Sequence, residues 1–275
     1  MPSVSGTLGL IAGNRSLPLV LAREARAAGV DWIVAVAFKG ETDPNLVELV
    51  DELVWVRIGQ LGKMIDALSS RDVKRCVMAG QLAPSNLFNV RPDLRGMKTL
   101  LRLRERNAHS IFGAVADELA RDGIELISAV PWLKPVMPAP GFRLGAPPSS
   151  RHLTEIQFTL SVAREIARLN VGQSVVAKEG TILAVEGFEG TDNCLARGGD
   201  LAGRSGGAVA VKVAKQDHDM RFDIPCIGPQ TIRTCLEHGI EVLAFEGGRT
   251  LVLDQPELEA LLVRKRFSLI AVDRA

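Results

Sequence analysis

The densest grouping of residues able to do chemistry lies between positions 186 and 231. Glu186-Gly187-Phe188-Glu189-Gly190-Thr191-Asp192 carries three carboxylates and two glycines directly after an apolar run that ends at Val185. Lys212 and Lys215 come about twenty residues later, followed by Asp217, His218, Asp219, Arg221 and Asp223. Gly228-Pro229-Gln230-Thr231 then opens a helix-like segment. Carboxylates on loops at strand ends offer hard oxygen ligands to a divalent cation. Lys and Arg beside them neutralise phosphate oxygens, and a helix N-terminus adds N–H donors. Such a set suits a magnesium-assisted phosphoryl or nucleotidyl reaction. The plain alternative is a pair of charged surface loops, which the mixed signs and turn glycines weaken.

Three other patterns carry less. Gly9 to Arg15 forms a turn between a strand-like and a helix-like run, and the free N–H groups of such a turn can receive a phosphate. Its spacing is not GxGxxG, and Gly13 also suits an ordinary strand-to-helix turn. Residues 91 to 106 hold six basic and two acidic side chains interleaved with Leu100, Leu101 and Leu103. This basic amphipathic pattern fits anionic lipid or an anionic ligand, or simply a solvated helix face. Gly203-Arg204-Ser205-Gly206-Gly207 matches GxSxG by letter, but a strand follows where a nucleophile elbow needs a helix, so a loop is expected. The four histidines show no HExxH spacing, and the four cysteines (Cys76, Cys194, Cys226, Cys235) contain no CxxC pair. Reduced cytoplasmic thiols are expected, and neither a disulfide framework nor a zinc site.

The elements that would position these residues follow from periodicity. Thr7–Ala12, Asp31–Ala37, Leu53–Arg57, Cys76–Ala79 and Glu125–Ala129 read as strands, alternating with helices at Leu17–Ala28, Gly59–Ser69 and Ile111–Arg121. That alternation implies a parallel α/β sheet. Prolines crowd the stretch to residue 150, and such density precludes helix interior and central strand. A helix over His152–Asn170, a hairpin about Lys178-Glu179-Gly180, further strands at Val209–Val213, Val242–Ala244 and Leu251–Leu253, and helices at Pro229–His238 and Pro256–Lys265 make a second set. The expected organisation is an N-terminal Rossmann-like parallel-sheet domain (1–133), a Pro-rich linker (134–150) and a second α/β domain with a mixed sheet (151–275).

Composition sets bounds. The 275 residues are 47% apolar and carry 33 basic against 32 acidic side chains, a net charge of +1. This balance argues against a dedicated nucleic-acid binder and against a mainly disordered chain. No window is long and apolar enough to span a membrane, and the first thirteen residues lack a secretory-signal pattern.

The run from Val185 to Asp192, then Val211-Lys212, then Asp219 through Asp223 to Thr231 resembles the LpxI-type UDP-2,3-diacylglucosamine pyrophosphatases of lipid A biosynthesis. Gly9 to Gly13 with Leu17-Pro18 is similar to that family's N-terminus, and the resemblance covers nearly the whole chain. It implies magnesium-dependent hydrolysis of the UDP-2,3-diacylglucosamine pyrophosphate to UMP and lipid X, a step toward lipopolysaccharide. Water would attack phosphorus without a covalent intermediate, with the lipid-nucleotide in a cleft between the domains.

By the same resemblance Asp223 is the essential position, a magnesium ligand or water-orienting base, with Glu186, Glu189 and Asp192 as further metal candidates. Lys212 and Arg221 would meet phosphate charge. Gly13, Asn14, Gly80, Gln81, Thr191, Gly228 and Thr231 would bind substrate. A cytoplasmic protein in peripheral contact with the inner membrane is implied, with homodimerisation left open and no nucleic-acid partner. Ala108 and His109 stand where the family commonly has an acidic pair. The residues themselves also admit a nucleotide- or sugar-binding regulatory protein, or a hydrolase of an unacylated UDP-sugar.

Overall fold

A computed structural model describes residues 6–82, 91–103, 108–214, 219–221 and 224–273. The chain divides into two compact units at Lys134/Pro135, and Met220 groups with the first unit, where its carbonyl accepts from Ser128 Oγ at 3.1 Å.

The first unit alternates strands and helices: β1 (Thr7–Ala12), α1 (Leu17–Ala27), β2 (Trp32–Phe38), β3 (Glu52–Val56), α2 (Leu61–Ser69), β4 (Arg75–Ala79), α3 (Leu94–Arg102), α4 (Ala108–Arg121), β5 (Glu125–Leu126) and the short α5 (Val130–Leu133). All pairings are parallel and the strand order is β3-β2-β1-β4-β5, so the expected parallel sheet is present. The apolar runs of β1 and β2 are buried over nearly their whole length, as in a sheet whose faces are both covered. Val34, Val36, Ile65, Leu68 and Leu119 sit in one core cluster. Each such side chain contributes about 1.5–3 kcal/mol by leaving water. Because β1 lies between β2 and β4, the chain reverses its direction of growth there, the point of an open parallel sheet at which ligand sites commonly form.

The second unit contains β6 (Arg143–Gly145), α6 (Ser150–Arg168), β7 (Ser174–Lys178), β8 (Thr181–Val185), α7 (Thr191–Leu201), β9 (Ala208–Lys212), β10 (Cys226–Ile227), α8 (Pro229–Glu237), β11 (Ile240–Glu246), β12 (Leu251–Val252), α9 (Gln255–Leu262) and β13 (Ser268–Val272). Its six-stranded sheet runs β6-β13-β11-β9-β7-β8, parallel in the middle and antiparallel toward both edges, which is the expected mixed sheet. β10 and β12 pair separately. The two-residue alternation of β9 sends Val209 and Val211 under α6, and Ala208 and Ala210 to the face covered by α7 and α8.

Two features depart from expectation. Within 134–150, Arg143–Gly145 is an edge strand on β13, a place that tolerates neighbouring prolines because its outer side needs no ladder partner. The acidic cluster does not stay a loop: Thr191 opens the eleven-residue α7. Its interior Gly198 and Gly199 weaken helix propensity, yet side chains there would collide with Val176 and the His238 carbonyl. Close packing against β7 therefore overrides propensity. As expected, 203–207 is a loop, with Ser205 Oγ accepting from Lys178 Nζ at 3.0 Å.

Candidate functional site

In the first unit the segments leaving β1 and β4 close on each other. Gly13 N donates to the Ala79 carbonyl at 2.8 Å and Asn14 N to the Gln81 carbonyl at 2.7 Å. A side chain at Gly13 would lie 2.4 Å from the Gln81 carbonyl oxygen. One at Gly80, whose φ is +89°, would lie 2.6 Å from that of Asn14. The four positions Gly13, Asn14, Gly80 and Gln81 are thus brought together. The Asn14 side-chain N–H donates to Glu41 at 2.6 Å, while its Oδ1 is buried without a partner. Leaving such an acceptor unmet costs about 1–3 kcal/mol, so a donor reaching Asn14 Oδ1 would be stabilised there.

Beside this closure lies a cavity of about 170 Å³. Ile11, Phe38 and Met78 bound it from the sheet, Met64 from α2, Leu100 from α3 and Phe112 from α4. It is almost wholly apolar and was not foreseen in the sequence. Its walls come from three helices whose apolar residues read as ordinary core. The helix of the basic stretch is held by its own charges. Asp93 caps α3 by accepting from Gly96 N, and Arg95 reaches Glu118 at 2.7 Å and Asp122 at 2.8 Å. The Arg95 hydrogen bond to Asp122 keeps that carboxyl below the usual range.

In the second unit Lys212 occupies the last position of β9. Alternation turns it to the face of α7 and α8, and it is 8% exposed. Its ammonium donates to Thr191 Oγ1 and to the Cys226 carbonyl, both at 3.0 Å. Thr191 Oγ1 in turn donates to Glu186 at 3.2 Å. Thr231 Oγ1, in the first turn of α8, donates to Asp192 Oδ1 at 2.9 Å. No side chain caps α7 at Gly190 or α8 at Gly228. Lys212, Thr191 and Glu186 are therefore joined in one hydrogen-bonded chain, and the separate Thr231–Asp192 bond links the helix N-termini that follow Gly190 and Gly228. The field there favours an anion.

Other candidates fall elsewhere. Glu189 pairs with Arg197 at 2.5 Å, and this bond holds its carboxyl below the usual range. Arg221 is exposed and groups with the first unit. Asp223, Lys215, Asp217 and His218 lie outside the described residues, as do positions 104–107 of the basic stretch. Among the described residues no group of three His, Cys, Asp or Glu side chains is arranged to hold a metal, and no helix is long and apolar enough to cross a membrane. The four cysteines form no disulfide, and burial followed by the nearby Glu186 charge pushes the Cys194 thiol up to about 12. Ser174, whose Oγ lies 3.4 Å from Thr191 Oγ1, belongs to the network but had no signal beyond its place at the start of β7.

Both halves of the chain match family models. The model described as the LpxI N-terminal domain matches residues 7–136, and that described as the LpxI C-terminal domain matches residues 139–270. A curated relative from Caulobacter vibrioides, "UDP-2,3-diacylglucosamine pyrophosphatase LpxI", is 35% identical over 258 residues, 90% of this chain and 91% of its own length. The chain belongs to the LpxI family. The apolar cavity thus lies in the LpxI N-terminal domain and the Lys212 network in the LpxI C-terminal domain. Among solved structures, the biotin carboxylase subunit of pyruvate carboxylase aligns at 15% identity and a TM-score of 0.28, over 66% of this chain and 35% of that chain. The biotin carboxylase domain of a thermophilic 2-oxoglutarate carboxylase aligns at 13% and 0.27, over 62% and 35%. Neither likeness supports an argument about this chain.

Proposed function

We propose that the chain hydrolyses UDP-2,3-diacylglucosamine at its pyrophosphate, adding water to release UMP and 2,3-diacylglucosamine 1-phosphate. The observation that carries this reading is the 35% identity, across both units, to the relative bearing that activity in its name. Two features of the structure support it. An acyl chain needs an apolar recess, and the first unit has one at the C-terminal end of its parallel sheet. A pyrophosphate needs fixed positive charge, and the second unit holds Lys212 beside two helix N-termini. The recess favours an acylated substrate over a bare UDP-sugar.

In this reading Lys212 and the N–H groups opening α7 and α8 receive phosphate oxygens, Thr191 fixes the ammonium, and Thr231 fixes the Asp192 carboxylate. Glu186 and Asp192 fit a magnesium ion, because magnesium commonly takes only one or two protein carboxylates alongside phosphate oxygens and water. Glu189 fits less well, since Arg197 already neutralises it. When bound, the ion would neutralise charge on the reacting phosphate. Asp223 is proposed as the essential carboxylate and Arg221 as a further phosphate partner.

The test is UMP release from acylated and unacylated UDP-glucosamine, with chelator and with added magnesium. Release from the acylated substrate alone, stopped by EDTA and restored by magnesium, is expected. Asp223→Ala is expected to keep substrate binding and lose turnover. Equal release from the unacylated sugar would overturn the acyl reading, full activity in excess EDTA the metal, and normal turnover in Asp223→Ala the role of that residue.

A further inference from the structure

The outer face of α3 is at odds with an ordinary solvated helix. Leu94, Met97 and Leu101 recur at helical spacing on one stripe and are 79%, 48% and 72% exposed. The same helix turns Gly96 and Thr99 inward, and lines the cavity with Leu100 and Leu103. Leu100 adjoins Met97 around the helix, so apolar surface continues from the stripe to the cavity wall. Exposed Lys98 and Arg102 flank the stripe on its other side, Arg102 reaching Glu118 only at 3.5 Å while its side chain stays 63% exposed, and exposed Arg91 precedes the helix. Arg95 is not part of this cationic set, because it is turned inward and held by both Glu118 at 2.7 Å and Asp122 at 2.8 Å, which fix how the helix is turned.

We propose that α3 docks on an anionic lipid bilayer, with Leu94, Met97 and Leu101 entering the headgroup boundary and Lys98 and Arg102 meeting anionic headgroups. Single exposed apolar residues are common on proteins, but three in register beside cations form the pattern of an interfacial helix. A stable protein partner would need roughly 1,200–2,000 Å² of buried surface, far more than three side chains on a nine-residue helix supply. A bilayer needs no matching surface. The docking stands on α3 alone. That the bilayer then feeds an acyl chain past Leu100 into the cavity rests on the function proposed above.

The experiment is co-sedimentation of the full chain with phosphatidylcholine vesicles, with and without phosphatidylglycerol, over a range of salt. The expected result is binding that needs phosphatidylglycerol and weakens with salt. Leu94→Ser with Leu101→Ser should lower it by roughly tenfold or more, since each change removes a buried apolar group. Lys98→Gln with Arg102→Gln should erase the preference for phosphatidylglycerol. Leu94→Ser/Leu101→Ser should release UMP from detergent-dispersed substrate as the parent does, with an unchanged melting curve. Absence of parent binding to anionic vesicles, or equal binding by both double variants, would overturn the docking. So would a change of oligomeric state in the leucine variant, which would mean that the stripe covers a second copy. No UMP release by the parent in detergent would defeat the proposed function and leave the vesicle result readable.

Discussion

The two units place their working residues at equivalent points, the C-terminal ends of parallel strands, and furnish them in opposite ways. In the first unit the crevice beside β1 and β4 is lined by Ile11, Met64, Met78 and Phe112, next to backbone drawn together at Gly13 and Gly80. In the second, the end of β9 carries a buried ammonium tied to the Thr191 hydroxyl and the Cys226 carbonyl, with Thr191 passing the link on to Glu186. A parallel sheet leaves free backbone and helix N-termini at that edge whatever the sequence. The side chains set there decide whether the edge is apolar or charged. The first site depends on shape, so volume and backbone changes should damage it. The second depends on charge, so a neutral isostere should.

The largest effect is expected from Lys212→Met, which keeps the length of the side chain and removes its charge. Loss of one preorganised donor to a developing anion commonly costs about 10²–10³ in rate, and steady-state UMP release should fall by that order. Near-normal turnover would break the contrast by removing charge from the second site. Gly80→Ala comes next. Its φ of +89° and the 2.6 Å approach to the Asn14 carbonyl predict a loss of about 1–3 kcal/mol in urea unfolding. An unchanged midpoint would mean that the closure of the two loops is not tight.

Leu100→Trp should fill the cavity and shift the preference from long toward short acyl chains by roughly tenfold in kcat/KM. If the ratio stays fixed, the cavity is not where the acyl chain goes. The smallest effect belongs to Arg197→Gln, which should let the Glu189 carboxyl rise toward its ordinary range, read by NMR titration. Since the folded value is lowered, the stabilisation from this pair is present above the ordinary glutamate range and is lost as pH falls through the lowered value. The pair is partly exposed, so its removal should cost less than about 1 kcal/mol, and a larger cost would give Glu189 a role beyond surface pairing.

Much of this was legible without coordinates. Lys212 stands inside the apolar run Val209–Ala214, and a charge in a fully buried strand is itself a signal. The Glu179-Gly180 hairpin follows from local residue types, and both residues have positive φ. By contrast α7 could not be read, because its Gly198-Gly199 pair argues against a helix until Val176 and His238 are seen against it. The cavity was hidden for a related reason. Its walls are drawn from distant stretches of chain, and an apolar residue lining a recess has the same periodicity as one packed in a core.

Sequence by itself determined the alternation of strands and helices, the parallel first sheet, the identity of the charged cluster and the family likeness, because each is written in local spacing. Tertiary structure alone decided that Thr191 joins Lys212 to Glu186, that Glu189 is spent on Arg197, and that α3 turns Leu100 inward and Leu94 outward. Those outcomes depend on which strands become neighbours and how helices lie across them, and no local pattern encodes a distance between segments far apart in the chain.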